Sequence, residues 1–577
     1  MTTISRRILP FMLAAFAVLS LSACRRAQAE SQSARVDKLF SAWNSKDSPG
    51  CAVGISRNGA IVYEHGYGMA NIELNVPVTA ETVFAIASIT KSFTAMSVML
   101  AAERGQLSLD DEVQKYIPEW QDRDDHITIR HLLTHTSGLR DAFTMLGWAP
   151  LNGNAGDMNE GIARLLAKQR GLNFQPGTEY QYNNGGYNLL ATILKRATGQ
   201  SLREFAEANI FKPLGMAHTH VHDDVPMLVP NRASGYSRNA SGWRAAKVDG
   251  DIVGNSGMYS TVGDLLLWEE NFEKPRVGTM EMFAAMQKPT VLKGGNAIPS
   301  GLGFGIGQYR GVPTVEGSGG DYGIATKVAR FPNQHFAVAV LCNEDNIVMG
   351  GMARVNLDAL TNGIADIYLA DALGPAEAAT ETVPPTPVKL TDAQLSEKTG
   401  LYRIGGVDQP ALVTVDHGTL MVRAYYRDDF DLELAPVGAN RFLLRNSVLL
   451  EFIPATPGQP KGWRIGEGNN ARVWQQVTFA PSAAEVRSYA GEYRSEEIGA
   501  SFTLEAHDSA LVVRNPSGLD VTIAPFLKDI FVGDVVGIVK FTRDSRGAMT
   551  GFTLNRDAAR GVRFDRSGDR PLNPRIH

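Results

Sequence analysis

The chain has 577 residues, too many for one hydrophobic core, so several domains are expected. Apolar residues make up 44% and charged residues 20%, the balance of a globular protein rather than a disordered one. A net charge of -5 and a pI near 6.2 argue against a nucleic-acid binder.

At the N-terminus, Arg6 and Arg7 precede an apolar run from Ile8 to Leu21. The run is short for a membrane span and suits a signal peptide. It ends Leu21-Ser22-Ala23-Cys24, which resembles a lipobox and predicts lipidation of Cys24, with membrane anchoring through it. Ala27-Gln28-Ala29 is a competing cleavage site that would release a soluble periplasmic protein, and an uncleaved anchor is a third option. All three export the chain to the bacterial cell envelope. Cys51 and Cys342 are then the two cysteines of the mature chain. Export permits a disulfide, but two buried unpaired thiols are the simpler expectation.

Residues Ala52 to Tyr63 read as two strands around an Asn58-Gly59 turn, a hairpin signal. Next comes Ser88-Ile89-Thr90-Lys91, with Ile89, Phe93, Met96 and Leu100 at helical spacing, which predicts a helix beginning near Ser88. Residues three apart share a helix face, so the Lys91 amine can reach the Ser88 hydroxyl. Serine needs such a neighbouring base to become a nucleophile, and a helix N-terminus favours developing negative charge. Taken alone the pair is weak, because an N-cap serine and a solvated lysine give the same spacing.

Four further stretches follow in order. They are His131-Leu-Leu-Thr-His135-Thr-Ser-Gly138-Leu139, Pro176-Gly177-Thr178, Pro213-Leu214-Gly215-Met216 and Gly257-Met-Tyr-Ser260-Thr-x-x-Asp264-Leu265. With Phe84-x-x-x-Ser88-Ile-Thr-Lys91, this set resembles the serine β-lactamase and DD-peptidase superfamily, in its class C β-lactamase branch (peptidase family S12), over roughly residues 35–370. The resemblance implies an α+β fold, with an antiparallel sheet flanked by helices and an all-helical subdomain. It assigns Ser88 as nucleophile and Lys91 and Tyr182 as its acid–base partners. Asn184, in Tyr182-Asn183-Asn184, would orient Lys91 and the substrate amide. Beside a lysine ammonium the Tyr182 phenolate is expected to be favoured, the two titrating as a coupled pair.

The family's third motif maps onto Glu316-Gly317-Ser318-Gly319-Gly320-Asp321, where Gly317 stands at the usual cation position. Gly317, Ser318 and Gly319 are the expected substrate-binding strand, and the N–H groups of Ser88 and Gly320 the expected oxyanion hole. Loss of the cation disfavours β-lactams and peptides held by a C-terminal carboxylate, and leaves more room. Glu316 and Asp321 either attract a substrate amine or are solvated, and solvation is the expectation.

Other signals carry less. His131 and His135 have metal-ligand spacing but lie in a family structural segment, so no metal is assigned. His218, His220 and His222 suggest one face of a surface strand. Gly301-Leu-Gly303-Phe-Gly305-Ile-Gly307 lacks the phosphate-loop order and reads as a strand packed closely on its neighbours.

Ala372 to Pro387 is a Pro/Ala/Thr linker. Beyond it the chain repeats itself: Gly400-Leu-Tyr402-Arg403 corresponds to Gly491-Glu-Tyr493-Arg494, and Leu420-Met-Val422-Arg423 to Leu511-Val-Val513-Arg514. Two small antiparallel β-barrels are expected. The expected organisation is a leader over 1–30, the hydrolase domain over 31–371, a linker over 372–390, and barrels over 391–480 and 481–577. A family-S12 domain followed by two barrels resembles the three-domain D-aminopeptidases, whose barrels shape or cover the active site. The alternative for the barrels is a passive spacer.

The resulting expectation is an exported serine hydrolase working through an acyl-enzyme without cofactor. Its substrate would be a small peptide or amide, with D- or unusual residues. A carboxylesterase is the alternative; a β-lactamase, a DD-carboxypeptidase or a non-catalytic envelope binding protein rank below it.

Overall fold

In the computed structural model, Asn58 and Gly59 close the hairpin between β1 (Cys51–Arg57) and β2 (Ala60–Tyr67) with φ of 54° and 77°. Both central residues of this turn type need left-handed backbone, which the Asn-Gly pair accepts. The structure describes residues 30–375 and 388–567, apart from 121–124, 149–157, 240, 247–250, 346–354, 406–408, 426–431, 445–447, 467, 469–470, 515–517, 519 and 557. The N-terminal segment expected to be a leader, with Cys24, and most of the Pro/Ala/Thr stretch lie outside the described residues.

Four strands from later in the chain complete the sheet: β3 (Gly305–Tyr309), β4 (Val312–Asp321), β5 (Ile324–Phe331) and β6 (Phe336–Cys342). The order is β3-β4-β5-β6-β1-β2, antiparallel throughout. The helices that position the site are α1 (Gln32–Leu39), α2 (Thr90–Glu103), α3 (Ala142–Leu146), α4 (Asn184–Thr198), α5 (Val262–Asn271) and α6 (Leu357–Tyr368). Val53, Ile55, Val338 and Val340 pack in one cluster with α1 and α6, while Ala52, Ala339 and Leu341 join a second cluster with α2 and α5. The central strands are thus apolar on both faces, and they read as unbroken apolar runs for that reason.

Cys51 and Cys342 form a disulfide, with Cα atoms 4.1 Å apart. This overturns the expectation of two free thiols. The two positions are 291 residues apart in sequence. The antiparallel register of β1 and β6 sets them directly opposite each other.

The C-terminal region forms two closed eight-stranded barrels, from Gly400 to Gln476 and from Gly491 to Arg566. Closure removes sheet edges that would otherwise invite pairing. The repeat extends to side-chain detail. Tyr402 donates its hydroxyl to the Lys398 carbonyl at 2.7 Å, and Tyr493 donates to the Tyr489 carbonyl at 2.8 Å, both rings fully buried. Chain order and packing order differ. The second barrel shares one continuous apolar cluster with the helical subdomain, whereas the first has a core of its own. Trp148, 1% exposed, joins the subdomain to the second barrel and donates its indole N–H to the Val535 carbonyl at 3.0 Å.

Candidate active site

Ser88 sits in a 3-10 turn, Ala87–Ile89, that leads into α2, rather than in the α-helix itself. Ala87 before it has φ of 44°, a left-handed conformation that costs a non-glycine residue about 1–3 kcal/mol. The turn is fixed from both sides: Ile86 N–H donates to the Met258 carbonyl at 2.9 Å, and Thr326 Oγ1 donates to the Ile86 carbonyl at 3.1 Å. Lys91 follows in the first turn of α2. Its Nζ donates to Ser88 Oγ at 3.1 Å, Asn184 Oδ1 at 2.8 Å and the Asn255 carbonyl at 2.9 Å. Tyr182 places its hydroxyl 2.8 Å from Ser88 Oγ, and Lys91 Nζ lies 4.7 Å from the centre of its ring. The fold therefore brings Ser88, Lys91, Tyr182 and Asn184 into one hydrogen-bonded group.

The protonation balance differs from the sequence expectation. Lys91 is 2% exposed, and burial pulls its amine down to about 7, opposed in part by the negative charge of Asp141. Desolvation of the Tyr182 hydroxyl pushes its pKa above the ordinary phenol value, with the Ser88 hydrogen bond working the other way. Tyr182 as a residue remains exposed. Removing water from both groups outweighs their mutual attraction. The tyrosine therefore stays a neutral phenol, and the lysine titrates near neutrality between an ammonium that donates all three bonds and a free amine that accepts from Ser88 while still donating to Asn184 and Asn255.

His135 backs the tyrosine. Its ring packs 4.6 Å from that of Tyr182, and its Nδ1 accepts the Asn183 N–H at 3.1 Å. Burial, with the Lys91 charge adding to it, lowers its pKa to about 3, which keeps it a neutral acceptor. His131 is occupied elsewhere: its Nδ1 accepts the Thr128 N–H at 3.2 Å in a capping box. Among the described residues no group of three or more His, Cys, Asp or Glu could hold a metal.

The third expected element is β4. Strand β3 pairs with it only from Gly305 opposite Glu316 to Tyr309 opposite Val312. Among the described residues, Gly317 to Asp321 have no strand partner on that edge. A Cβ at Gly319 would stand 2.5 Å from the Ile86 carbonyl oxygen, 2.7 Å from Thr326 Oγ1 and 2.8 Å from Ser88 N. Only glycine lets the strand approach the Ser88 turn this closely. Gly317 leaves less room than expected, since a Cβ there would meet Val328 Cγ2 at 3.1 Å with Ile89 behind it. Ser318 and Gly320 are exposed on the same segment. Glu316 is not freely solvated, as it accepts from the buried Lys327 at 2.7 Å. Asp321 is partly buried, and desolvation raises its pKa, with Asp345 adding to the effect.

Two further corrections concern the secondary signals. His220 and His222 do not lie on an open surface strand: His222 is 6% exposed and His220 stacks on Tyr259 at 5.6 Å. Of the glycine-rich run, only Gly305 onward is strand; at Gly303 (φ 80°) a Cβ would meet the Lys91 and Ser92 backbone at 2.7–2.8 Å.

Sequence reading missed Asn255 and Asp141. Asn255 supplies the third Lys91 contact by its carbonyl, and its Oδ1 accepts from Asn188 at 2.8 Å. The Gly254-Asn255-Ser256-Gly257 turn was its only signal, with φ of 104° and 86° at the two glycines. Asp141 had none beyond its place two residues after Leu139.

A family profile described as Beta-lactamase matches residues 33–361. The chain belongs to this family. The match holds all of the residues around Ser88, and the chain is a serine hydrolase. A D-aminopeptidase of Gluconobacter oxydans (strain 621H) is 29% identical over 497 residues, covering 82% of this chain and 85% of that protein. A D-aminopeptidase of Brucella anthropi is 28% identical over 279 residues, covering 47% of this chain and about half, 51%, of that protein. The octameric penicillin-binding protein homologue from Pyrococcus abyssi has the same fold, with a TM-score of 0.53 at 23% identity over 76% of this chain and 99% of that one. No helix among the described residues is long and apolar enough to cross a membrane.

Proposed function

We propose that this serine hydrolase is an exported amidase or aminopeptidase acting on small peptides or amides, including those with D-residues, through an acyl-enzyme on Ser88. The observation that carries the chemistry is that Ser88 Oγ lies within hydrogen-bond distance of both Lys91 Nζ and Tyr182 OH, at 3.1 and 2.8 Å. The free amine of Lys91 takes the serine proton, directly or through the tyrosine, as Oγ attacks the carbonyl carbon. The N–H groups of Ser88 and Gly320 hold the oxyanion. Tyr182 gives a proton to the leaving amine, and Lys91 replaces it. Water, deprotonated by the same pair, then cleaves the ester and frees Ser88. Asn184 keeps Lys91 aimed at Oγ.

The D-aminopeptidase relative aligned over most of both chains supports the substrate class. Gly317 supports it too, since a substrate carboxylate finds no cation at that position. The buried Cys51–Cys342 disulfide supports export, because such bonds persist in oxidising compartments. Lipidation at Cys24 anchors the protein in this reading. The carboxylesterase reading uses the same groups.

The test is hydrolysis of a D-alanine anilide with a free amine and of a short-chain nitrophenyl ester, by wild type and Ser88→Ala. Ser88-dependent cleavage of the anilide is expected. Ester cleavage alone would replace the amidase reading with the esterase one.

A further inference from the structure

Asp141 is 6% exposed and its carboxylate serves two helices at once. Oδ2 accepts the N–H groups of Phe143 at 3.0 Å and Thr144 at 3.1 Å, capping α3. Oδ1 accepts those of Asn184 at 3.1 Å and Gly185 at 3.3 Å, in the first turn of α4. Both oxygens are thereby saturated, and one of them fixes the backbone that carries Asn184 and follows Tyr182.

The main chain of the same residue is held from the other direction. Asp141 N–H donates to the Ala558 carbonyl at 2.7 Å, in the turn of the second barrel's closing hairpin. Asn173 donates to that same carbonyl at 2.8 Å and to Gln181 Oε1 at 2.7 Å, next to Tyr182. Arg560 N–H donates back to Asn173 Oδ1 at 2.9 Å. Beside Asp141, Arg140 donates to the carbonyls of Arg560 at 2.7 Å and Gly561 at 2.9 Å. It also forms an ion pair with Glu497, the two side chains 5% and 11% exposed. The barrel turn therefore grips the polypeptide on both flanks of the Tyr182–Asn184 segment.

We propose that Asp141 is a positioning residue through which the second barrel sets the Ser88–Lys91–Tyr182 group, so that the barrel is part of the acid–base machinery and not a spacer. This rests on the acyl-enzyme reading of Ser88 above. Besides the neutral acceptors Asn184 and Asn255, the groups facing Lys91 among the described residues are Ser88, the rings of Tyr182 and Tyr187, neutral His135 and the Asp141 carboxylate. Asp141 is the negative charge in that set. Its removal loosens Asn184 and also strips the amine of the charge that favours its protonated form.

The test uses the full chain and the rate at which a fluorophosphonate probe modifies Ser88, followed by intact mass across pH. The probe reports activation of Oγ directly and needs no knowledge of the substrate, so the comparison stands even if neither test substrate is turned over. Asp141→Asn should label on the order of 10- to 100-fold more slowly. Its pH midpoint should fall below that of wild type. Wild-type rate and midpoint in that variant would overturn the proposal. If Asp141→Asn does not fold, Glu497→Gln decides. It lies outside the site, and the proposal requires it to slow labelling; a wild-type rate would refute coupling through the barrel.

Discussion

Lys91 concentrates the chemistry of the site in one amine. Its pKa near 7, set by burial, means that about half is free base at neutral pH. Labelling or turnover should therefore rise with pH through about 7 and be lost below it, as a pH–rate profile would show. Lys91→Met should lower turnover by about 100-fold or more. The stability consequence has the opposite sign from an ordinary ion pair. An unfolded chain keeps this proton up to the free-lysine value, while the folded chain releases it near 7. Stability from this group therefore grows with pH across that window, and its cost is fullest below 7. Lys91→Met should then melt no lower than wild type at pH 6, read by thermal denaturation. At Gly319 the governing term is steric. Gly319→Ala places a methyl 2.5 Å from a carbonyl oxygen beside Ser88 and should lower kcat/KM by on the order of 100-fold. Gly317→Ala, which meets side chains and no backbone, the nearest being Val328 at 3.1 Å, should lose far less.

At the scale of elements, periodicity and turn chemistry were readable because they are local. The Asn58-Gly59 hairpin, the helix after Ser88 and the alternating barrel strands each depend on residues within a few positions of one another. The duplication was legible as well, and it makes an energetic claim. Tyr402 and Tyr493 make the same hydroxyl-to-carbonyl bond four residues back, each fully buried. Tyr402→Phe and Tyr493→Phe should each lower the stability of the barrel that holds them by about 1 kcal/mol, measured as a shift of that barrel's melting transition. Unequal losses would show that the copies have diverged in how they pack. What escaped at this scale was anything read through the main chain. Asn255 contributes a carbonyl to Lys91, and a carbonyl belongs to every residue, so no side-chain pattern marks it.

The whole molecule is assembled out of chain order. One face of the hydrolase sheet and the helices packed on it merge with the second barrel in one apolar cluster, the other face packs with α1 and α6, and the first barrel keeps a separate core. Calorimetry should resolve two transitions, and loss of Ser88 labelling should follow the one that includes the second barrel. A single transition, or labelling that tracks the first barrel, would contradict this assignment of cores. The Cys51–Cys342 bond acts on the larger unit. Both cysteines are fully buried and 291 residues apart, so reductant should act slowly on the folded protein and, once it has acted, lower that unit's melting temperature.

Sequence by itself determined the family, the two barrels and the identity of Ser88, Lys91, Tyr182 and Asn184 as the residues to watch. Each of these is carried by residue types at fixed short spacings. Tertiary structure alone decided the disulfide, the protonation balance of Lys91 and Tyr182, the pairing of Glu316 with Lys327, and the grip of the second barrel on Asp141. These depend on register between distant strands, on exclusion of water and on contacts between segments hundreds of residues apart. No local pattern encodes such quantities, because they exist only once the chain has closed on itself.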